Sequence, residues 1–360
     1  LQWRVTRRLG RKDAHDCLCT SGDYWFSAAE LTILVSRVLA EIFATTSREQ
    51  GDAMIDFDAF SRHSRRDTLK GLVAGGAMIL GIKGFGHMGF FAEEVTGAAQ
   101  ALEKLGWTVA CQLYTFRRFP FYEAIEKIAA LGIKAVEPCF FLALDKGQPG
   151  LVTSEALTPE KRAEMKQRLA RLGMTMPNFY ANVGGDAEQA KKVFAFAKEM
   201  GCQTIVAEPP PEALPMLDEL LAEYGLRLAI HNHPKSPQSR YWHPKNVLEA
   251  VRDRSERIGA CCDTGHWVRS GLDPVECLKM MEGRVITLHL KDVAEVGVVE
   301  ARDVPLGTGA AKYDLVLQEL ARQKFRGVLP IEYEHDSPQL EEDVAACRDF
   351  VLGWAAKNVS

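Results

Sequence analysis

Four apolar runs in the second half of this 360-residue chain end in side chains that bind metal ions and move protons. They are Leu228-Ala229-Ile230-His231-Asn232-His233, Gly259-Ala260-Cys261-Cys262-Asp263-Thr264-Gly265-His266, Ile286-Thr287-Leu288-His289-Leu290-Lys291-Asp292 and Pro330-Ile331-Glu332-Tyr333-Glu334. Two His and two carboxylates, one side chain from each run, together offer a mixed nitrogen and oxygen donor set for one divalent ion. Such a set suits Mn²⁺, Co²⁺ or Zn²⁺ better than Ca²⁺. A metal chelated by the carbonyl and neighbouring hydroxyl of a sugar makes the α-proton acidic. A placed carboxylate, Glu332 or Glu208, removes that proton, and Lys291 or His266 donates to the developing oxyanion. Returning the proton to the neighbouring carbon isomerises the sugar, returning it to the opposite face epimerises it, and expelling a β-oxygen is an elimination.

Residues so far apart in sequence meet only if the chain folds regularly. Strand-like runs are expected at Thr108–Phe116, Lys134–Phe141, Thr175–Asn182, Thr204–Pro209, Arg227–His233, Ile258–Asp263, Val285–Lys291 and Val328–Glu334. Helical stretches between and after them are Phe121–Leu131, Pro159–Leu172, Ala187–Met200, Glu212–Tyr224, Pro244–Arg252, Pro274–Met281, Tyr313–Gln323 and Glu341–Ala355. Their apolar residues recur at three- and four-residue spacing, as Val193, Phe196, Ala197 and Met200 do. Gly132, Gly173, Gly201, Gly225 and Gly283 sit where a left-handed C-cap belongs. Eight strands and eight helices in about 250 residues predict a (β/α)8 TIM barrel over residues 108–357. An open doubly wound sheet would need a glycine-rich turn after its first strand, and Arg117-Arg118-Phe119-Pro120 has no glycine there. In a barrel all strand C-termini converge on one face. Side chains alternate along a strand, so His231 and His233 share a face, as do His289 and Lys291, and Glu332 and Glu334.

The first hundred residues read differently. Arg65-Arg66 precede a short, weakly apolar, glycine-rich run, Gly71–Ile82, which resembles a twin-arginine export signal over about residues 61–101. Ala99-Gln100-Ala101 has the small-x-small form of a cleavage site. Residues 1–101 are therefore expected to be an N-terminal extension, and the protein to be exported to the periplasm, or cytoplasmic without that signal. The first Met is Met54, which would put the arginine pair where a signal's charged region belongs, so residues 1–53 are expected to lie upstream of the native start. Gly84-Phe85-Gly86-His87-Met88-Gly89 matches GxGxxG, but no strand-helix-strand unit surrounds it to make a dinucleotide site. No run of about 20 uninterrupted apolar residues exists to form a stable membrane span. A net charge of −4 and a pI near 6.2 argue against nucleic acid as a partner. The nine cysteines lack zinc-type CxxC spacing and read as buried thiols.

The order of motifs resembles the xylose-isomerase-like barrel superfamily of sugar isomerases and epimerases, inosose dehydratases and endonuclease IV. The resemblance runs through Asp263-Thr264-Gly265-His266, His289-Leu290-Lys291-Asp292, Pro305-Leu306-Gly307-Thr308-Gly309 and Ile331-Glu332. In its ketose 3-epimerases, Glu, Asp, His and Glu from strands five to eight hold one metal. These positions fall on His231, Asp263, His289 and Glu332, and a substrate-binding His falls on His266. The departure is His231 for Glu: an imidazole binds metal but cannot also be a carboxylate base. Glu208, or Glu137 at the end of strand two, would supply a second carboxylate. His233 and His266 are the other proton-transfer candidates. Rim aromatics, Trp242, Trp267, Tyr241 and Phe140-Phe141, together with Glu137, would bind a sugar ring. Gly307-Thr308-Gly309 lies where barrels often bind phosphate, but no cationic cluster accompanies it, which favours a neutral sugar.

The resemblance implies a divalent-metal-dependent sugar isomerase or epimerase working through an enediolate. The alternative is a lyase or dehydratase of keto-sugars or 3-keto-glycosides on the same site. An endonuclease-IV-like phosphodiesterase and a non-catalytic sugar-binding barrel fit less well. The expected partner is a small sugar or keto-sugar, and a homo-oligomer is left open.

Overall fold

A computed structural model describes residues 97–359. The twin-arginine pair, the GxGxxG match, Met54 and Cys17 and Cys19 lie outside them. Residues 97–105 are helical and lead into eight strands. These are β1 (Trp107–Gln112), β2 (Val136–Glu137), β3 (Asn178–Tyr180), β4 (Thr204–Ala207), β5 (Arg227–His231), β6 (Ile258–Asp263), β7 (Val285–His289) and β8 (Gly327–Ile331). β1 pairs in parallel with β2 and β8, and β3 to β7 pair in parallel in order. Parallel bridges Ala135–Thr175 and Cys139–Tyr180 join the β2 region to the β3 region, and Leu290–Ile331 joins β7 to β8. The sheet therefore closes on itself as the (β/α)8 barrel the sequence predicts.

The helices are α1 (Phe121–Ala130), α2 (Pro159–Arg171), α3 (Ala187–Met200), α4 (Leu214–Tyr224), α5 (Pro244–Ala250), α6 (Thr264–Arg269), α7 (Pro274–Met280), α8 (Tyr313–Arg322) and α9 (Leu340–Asn358). All five glycines predicted to end helices have positive φ. At Gly201, φ is 88° and the amide donates to the last carbonyls of α3, a left-handed turn that glycine adopts without a Cβ clash. Among the described residues no helix is long and apolar enough to cross a membrane. The seven described cysteines are all buried and unpaired.

Four features depart from the expectation, one of them the short helix α6 (Thr264–Arg269), which no predicted stretch covers. The first strand stops at Gln112, and Leu113–Phe116 is a 3₁₀ turn because the Gln112 side chain accepts the Tyr114 amide. A hairpin, Ala143–Asp145 with Gln148–Val152, fills the connection after β2. A second, Asp292–Val293 with Asp303–Val304, extends the connection after β7.

Alternation along the strands sorts the barrel wall. Leu228 and Ile230 of β5 join the main core between sheet and helices, whereas Ala229 packs with Val206 and Cys261 in a separate small cluster. His231 has the parity of Ala229, and Asp263 that of Cys261. On β7 Leu288 and Leu290 belong to the main core, leaving Thr287 and His289 on the other face; beyond β8, Leu329 and Ile331 do the same for Glu332. A two-residue period thus turns the four donors toward the axis.

The outer core locks this wall in place. Phe179 of β3 and Phe196 of α3 are fully buried, edge to face, with ring centroids 5.2 Å apart. Phe196→Ala should cost about 3–5 kcal/mol through lost burial and the cavity left behind. Chemical denaturation should show it as a lower midpoint at an unchanged slope.

Candidate metal centre and cleft

Asp263 is the last residue of β6 and stands in register with His289 of β7. Its side chain does two jobs. Oδ1 accepts the His266 amide at 2.7 Å and caps α6, while Oδ2 points into the barrel mouth. There Oδ2 lies 3.6 Å from His231 Nε2 and 3.9 Å from His289 Nδ1, and Glu332 Oε2 lies 2.8 Å from His289 Nδ1. One donor atom from each of these four residues lies within 4.8 Å of the other three. His231 Nε2, Asp263 Oδ2, His289 Nδ1 and Glu332 Oε2 are all buried without a hydrogen-bond partner. Buried polar atoms are normally satisfied, so four orphans aimed at one point fit a divalent cation.

The far side of each imidazole is already committed. His231 Nδ1 meets Glu208 Oε1 at 2.8 Å, and His289 Nε2 meets Glu137 Oε1 at 2.6 Å. Geometry assigns the proton to these nitrogens, which leaves the lone pairs of His231 Nε2 and His289 Nδ1 facing the site. Each carboxylate is held in turn. Tyr180 OH donates to Glu208 at 2.8 Å, and Asn178 Nδ2 donates to Glu137 Oε2 and Thr287 Oγ1, both at 3.0 Å. Asn232, between the two histidines, exchanges two hydrogen bonds with the Asp263 backbone and so continues the β5–β6 ladder beyond its last residue pair.

Lys291 is fully buried beside the donors. Its Nζ lies 3.1 Å from Asp263 Oδ2, 3.2 Å from Glu332 Oε2 and 3.2 Å from Glu334 Oε1. The first two contacts are ion pairs whose angles make no hydrogen bond, so both oxygens keep a lone pair for a metal. Burial alone would lower the ammonium's pKa, but Asp263, Glu332 and Glu334 outweigh it and hold the pKa well above the ordinary lysine value. Burial likewise opposes ionisation of Glu332, and Lys291 and His289 overcome it to hold the carboxyl below its usual range. Burial pushes the His266 imidazole down to about 3, which Asp263 offsets only in part, so it is neutral. Gly265 makes room for this lysine: a Cβ there would lie 2.5 Å from Lys291 Cγ and 2.9 Å from its Cβ.

The mouth opens into a cleft of about 630 Å³. His231, His233, His266, Glu332 and Glu334 all line it, so these predicted residues do meet. Others take different places. Glu137 is wholly buried behind His289, which corrects its assignment to substrate binding. Lys291 also lies below the cleft surface, where it balances charge and reaches no substrate oxyanion. Trp267 is buried, and Trp242 packs under Lys235 Nζ (4.8 Å) and edge-on to His243; neither lines the cleft. The aromatic walls are Tyr114, Phe141 and Tyr180. The Gly307 and Gly309 amides, which a phosphate would need, donate to Asp292 Oδ2 at 3.0 and 2.9 Å.

Sequence reasoning also missed Arg269, which lines the cleft from α6. It donates to the Ala301 carbonyl, to Asp303 Oδ1 at 2.6 Å and to Glu334 Oε2 at 2.6 Å. An arginine three residues after the metal-motif histidine, followed by an isolated Asp303, was the only signal for it. Tyr180 gave no signal at all, because its partner Glu208 comes from another strand.

The chain belongs to the xylose isomerase-like TIM barrel family, whose profile matches residues 125–350. It is 31% identical over 137 residues to the rhizopine catabolism protein MocC of Rhizobium meliloti, covering 34% of this chain and 41% of that one. It is 28% identical over 129 residues to an inosose dehydratase of Mesomycoplasma hyopneumoniae, covering 32% and 42%. The matched stretch spans less than half the length of these curated relatives. The fold is similar to that of the IOLI protein solved with a bound zinc atom, with a TM-score of 0.58 at 16% identity over 70% of this chain and 99% of that one.

Three outcomes follow from the site. Asp263→Ala should abolish stoichiometric binding of Mn²⁺, Co²⁺ or Zn²⁺ in calorimetric titration. Glu137→Gln and Glu208→Gln should instead weaken it about 10–100-fold, as losses of orienting partners do. Gly265→Ala should cost about 1–3 kcal/mol by overpacking against Lys291, read as a lower denaturation midpoint.

Proposed function

We propose that this protein is a metal-dependent lyase that eliminates water or another β-oxygen substituent from a polyhydroxylated keto-sugar or cyclic ketone. The observation that carries the reading is the supply of carboxylates. Glu332 keeps, besides its donor-facing Oε2, an oxygen (Oε1) that no described residue hydrogen-bonds, and the other cleft-lining carboxylate without such a partner, Glu300, is an exposed residue of the hairpin after β7. Glu208 is turned onto His231, Glu137 is buried, and Glu334 is held by Arg269 and Lys291. Epimerisation through two carboxylates on opposite faces of the substrate would need a second free one at a strand end beside the donors. Elimination needs one base and one acid.

His231, Asp263, His289 and Glu332 would hold the metal, which when bound supplies a Lewis acid for the substrate carbonyl. The two nitrogen and two oxygen donors suit Zn²⁺, Co²⁺ or Mn²⁺. Glu332 Oε1 takes the α-proton. His266 lines the cleft with its ring nitrogens each 3.3 Å from a cationic donor, Arg269 Nη1 and Lys291 Nζ, and His233, about half exposed and 3.4 Å from Glu208 Oε1, delivers a proton to the departing oxygen. Lys291 keeps Glu332 ionised in a buried place. Tyr114, Phe141 and Tyr180 cover the C–H face of the ring. The name inosose dehydratase carried by one relative supports the same direction. Isomerisation or epimerisation is the second reading, favoured by the fold family alone.

Proton NMR in heavy water on a panel of keto-inositols and keto-hexoses, with Mn²⁺, Co²⁺ or Zn²⁺, separates the two. Elimination should give an unsaturated ketone, and Glu332→Gln should lower its formation by about 10²–10⁴-fold. Deuterium incorporation with only an isomer or epimer as product would sink the lyase reading.

A further inference from the structure

At the N-terminal ends of β5 and β6, the end of the barrel away from the cleft, lies a separate hollow of about 500 Å³ walled by Arg227, Ser255, Glu256 and Arg257. Arg227 opens β5, and Arg257 immediately precedes β6. Leu228 pairs with Ile258, and the Leu228 amide donates to the Arg257 carbonyl at 2.8 Å. Arg227 and Arg257 therefore stand side by side, one step before that pair, on neighbouring parallel strands about 4.8 Å apart. Leu228 and Ile258 belong to the core between sheet and helices, so alternation turns both arginines to the other side of the sheet, at the foot of the barrel. Thr204 of β4, in register with Arg227, marks the same direction: its hydroxyl lies 3.5 Å from Arg227 Nη2.

Like charges side by side on adjacent strands repel, and burying a charge is costly unless it is paired. Elsewhere arginines have acidic partners, as Arg162 has Glu199 and Arg322 has Glu282. Here neither guanidinium makes an ion pair with a described residue. Asp218 is turned onto the Ser255 amide at 2.8 Å and onto the Ser255 hydroxyl. Glu256 is exposed in the same wall and pairs with neither arginine. Arg227 is half-buried, and burial depresses its pKa with no acid to offset it. The wall itself is braced. Arg284 donates to the carbonyls of Ser255, Ile258 and Arg254 at 3.0, 3.2 and 3.3 Å, and Ser255 Oγ accepts the Arg257 amide at 3.2 Å. These bonds fix the turn that carries Arg257 and spend a third guanidinium on carbonyls, so its charge also stays uncompensated.

We propose that this hollow is an anion site in which Arg227 and Arg257 together hold a phosphate-type dianion, free or carried as an ester. A guanidinium presents its N–H groups as a planar fork matched to oxyanions. Two forks on neighbouring strands can share one tetrahedral group, whose oxygens point in several directions. One dianion also answers both charges, whereas a carboxylate answers one. The site stands apart from the metal donors and from the reaction they run, since Arg227 and His231 are the two ends of β5.

The test titrates inorganic phosphate into the metal-free full chain by calorimetry, at mildly basic pH and constant ionic strength. Saturable binding of one phosphate per chain is expected, with acetate at least tenfold weaker. Arg227→Gln and Arg257→Gln should each weaken phosphate at least tenfold. Saturating phosphate should raise the denaturation midpoint of the natural protein and not that of Arg257→Gln, because only a ligand of the folded state stabilises it. Arg257 is exposed, so its substitution keeps the test open even if Arg227→Gln does not fold. Glucose 6-phosphate separates the sources: tighter binding than phosphate assigns the site to an ester, weaker binding to the free anion. Should phosphate fail to saturate, should acetate bind as well, or should Arg257→Gln leave the phosphate affinity as it was, the anion site is overturned.

Discussion

Negative charge buried at the barrel mouth is the constraint around which the rest of the site is arranged. Asp263 and Glu332 carry carboxylates out of water at the ends of β6 and β8, and Glu334 and Asp303 add more close by. Unpaired charges in such a place cost several kcal/mol each. Lys291 answers part of this from below and Arg269 from the side, and the remaining deficit is directed at the point where the four donor atoms converge. Gly265, the α6 cap and the Thr264 hydroxyl on the Lys291 carbonyl are all consequences of fitting a lysine stem into this space. The Asp-Thr-Gly-His motif is therefore one packing solution: ligand and cap, backbone tether, gap, and cleft imidazole.

Carboxylates do different work depending on which side of a histidine they stand. Glu332 faces the cleft, whereas Glu137 and Glu208 stand behind His289 and His231 and fix their orientation. His231 as a donor is thereby coherent with Glu208 behind it. An imidazole needs a partner for its second nitrogen, and a carboxylate does not.

Much of this was legible in the sequence. Gly punctuation and the strand-helix rhythm gave eight of the nine described helices nearly residue for residue, because capping and amphipathic spacing are local; the short α6, which begins inside the Asp-Thr-Gly-His motif, was not foreseen. The strand ends that carry the donors were legible from a two-residue period and the common C-terminal face of a barrel, but that period leaves His231 with His233, His289 with Lys291 and Glu332 with Glu334, and it was the family resemblance that picked His231, Asp263, His289 and Glu332. Glu137, Trp242 and Trp267 were misplaced for one reason: position at a strand end says that a side chain is near the mouth, not how deep it lies. Tyr180, Asn178 and Arg269 act through partners on other strands, and such pairings appear only when the barrel closes. The hairpin after β7 was missed because its strands are two residues long, too short to show a period.

Arg269 ties three consecutive connections to one another. From α6 it holds the Ala301 carbonyl and Asp303 after β7, and Glu334 after β8. The loops on that side of the mouth are thus a single inherited module. None can be exchanged, lengthened or shortened without releasing a buried guanidinium and stranding its acidic partners. The loop after β5 is joined to this block through its backbone, by the Lys235 amide on Ser270 Oγ, and is otherwise braced within itself by Ser236. Diversification among barrels built this way is channelled: the chemistry side is frozen as a block, and the β5 side is where new substrate tastes can be acquired one residue at a time.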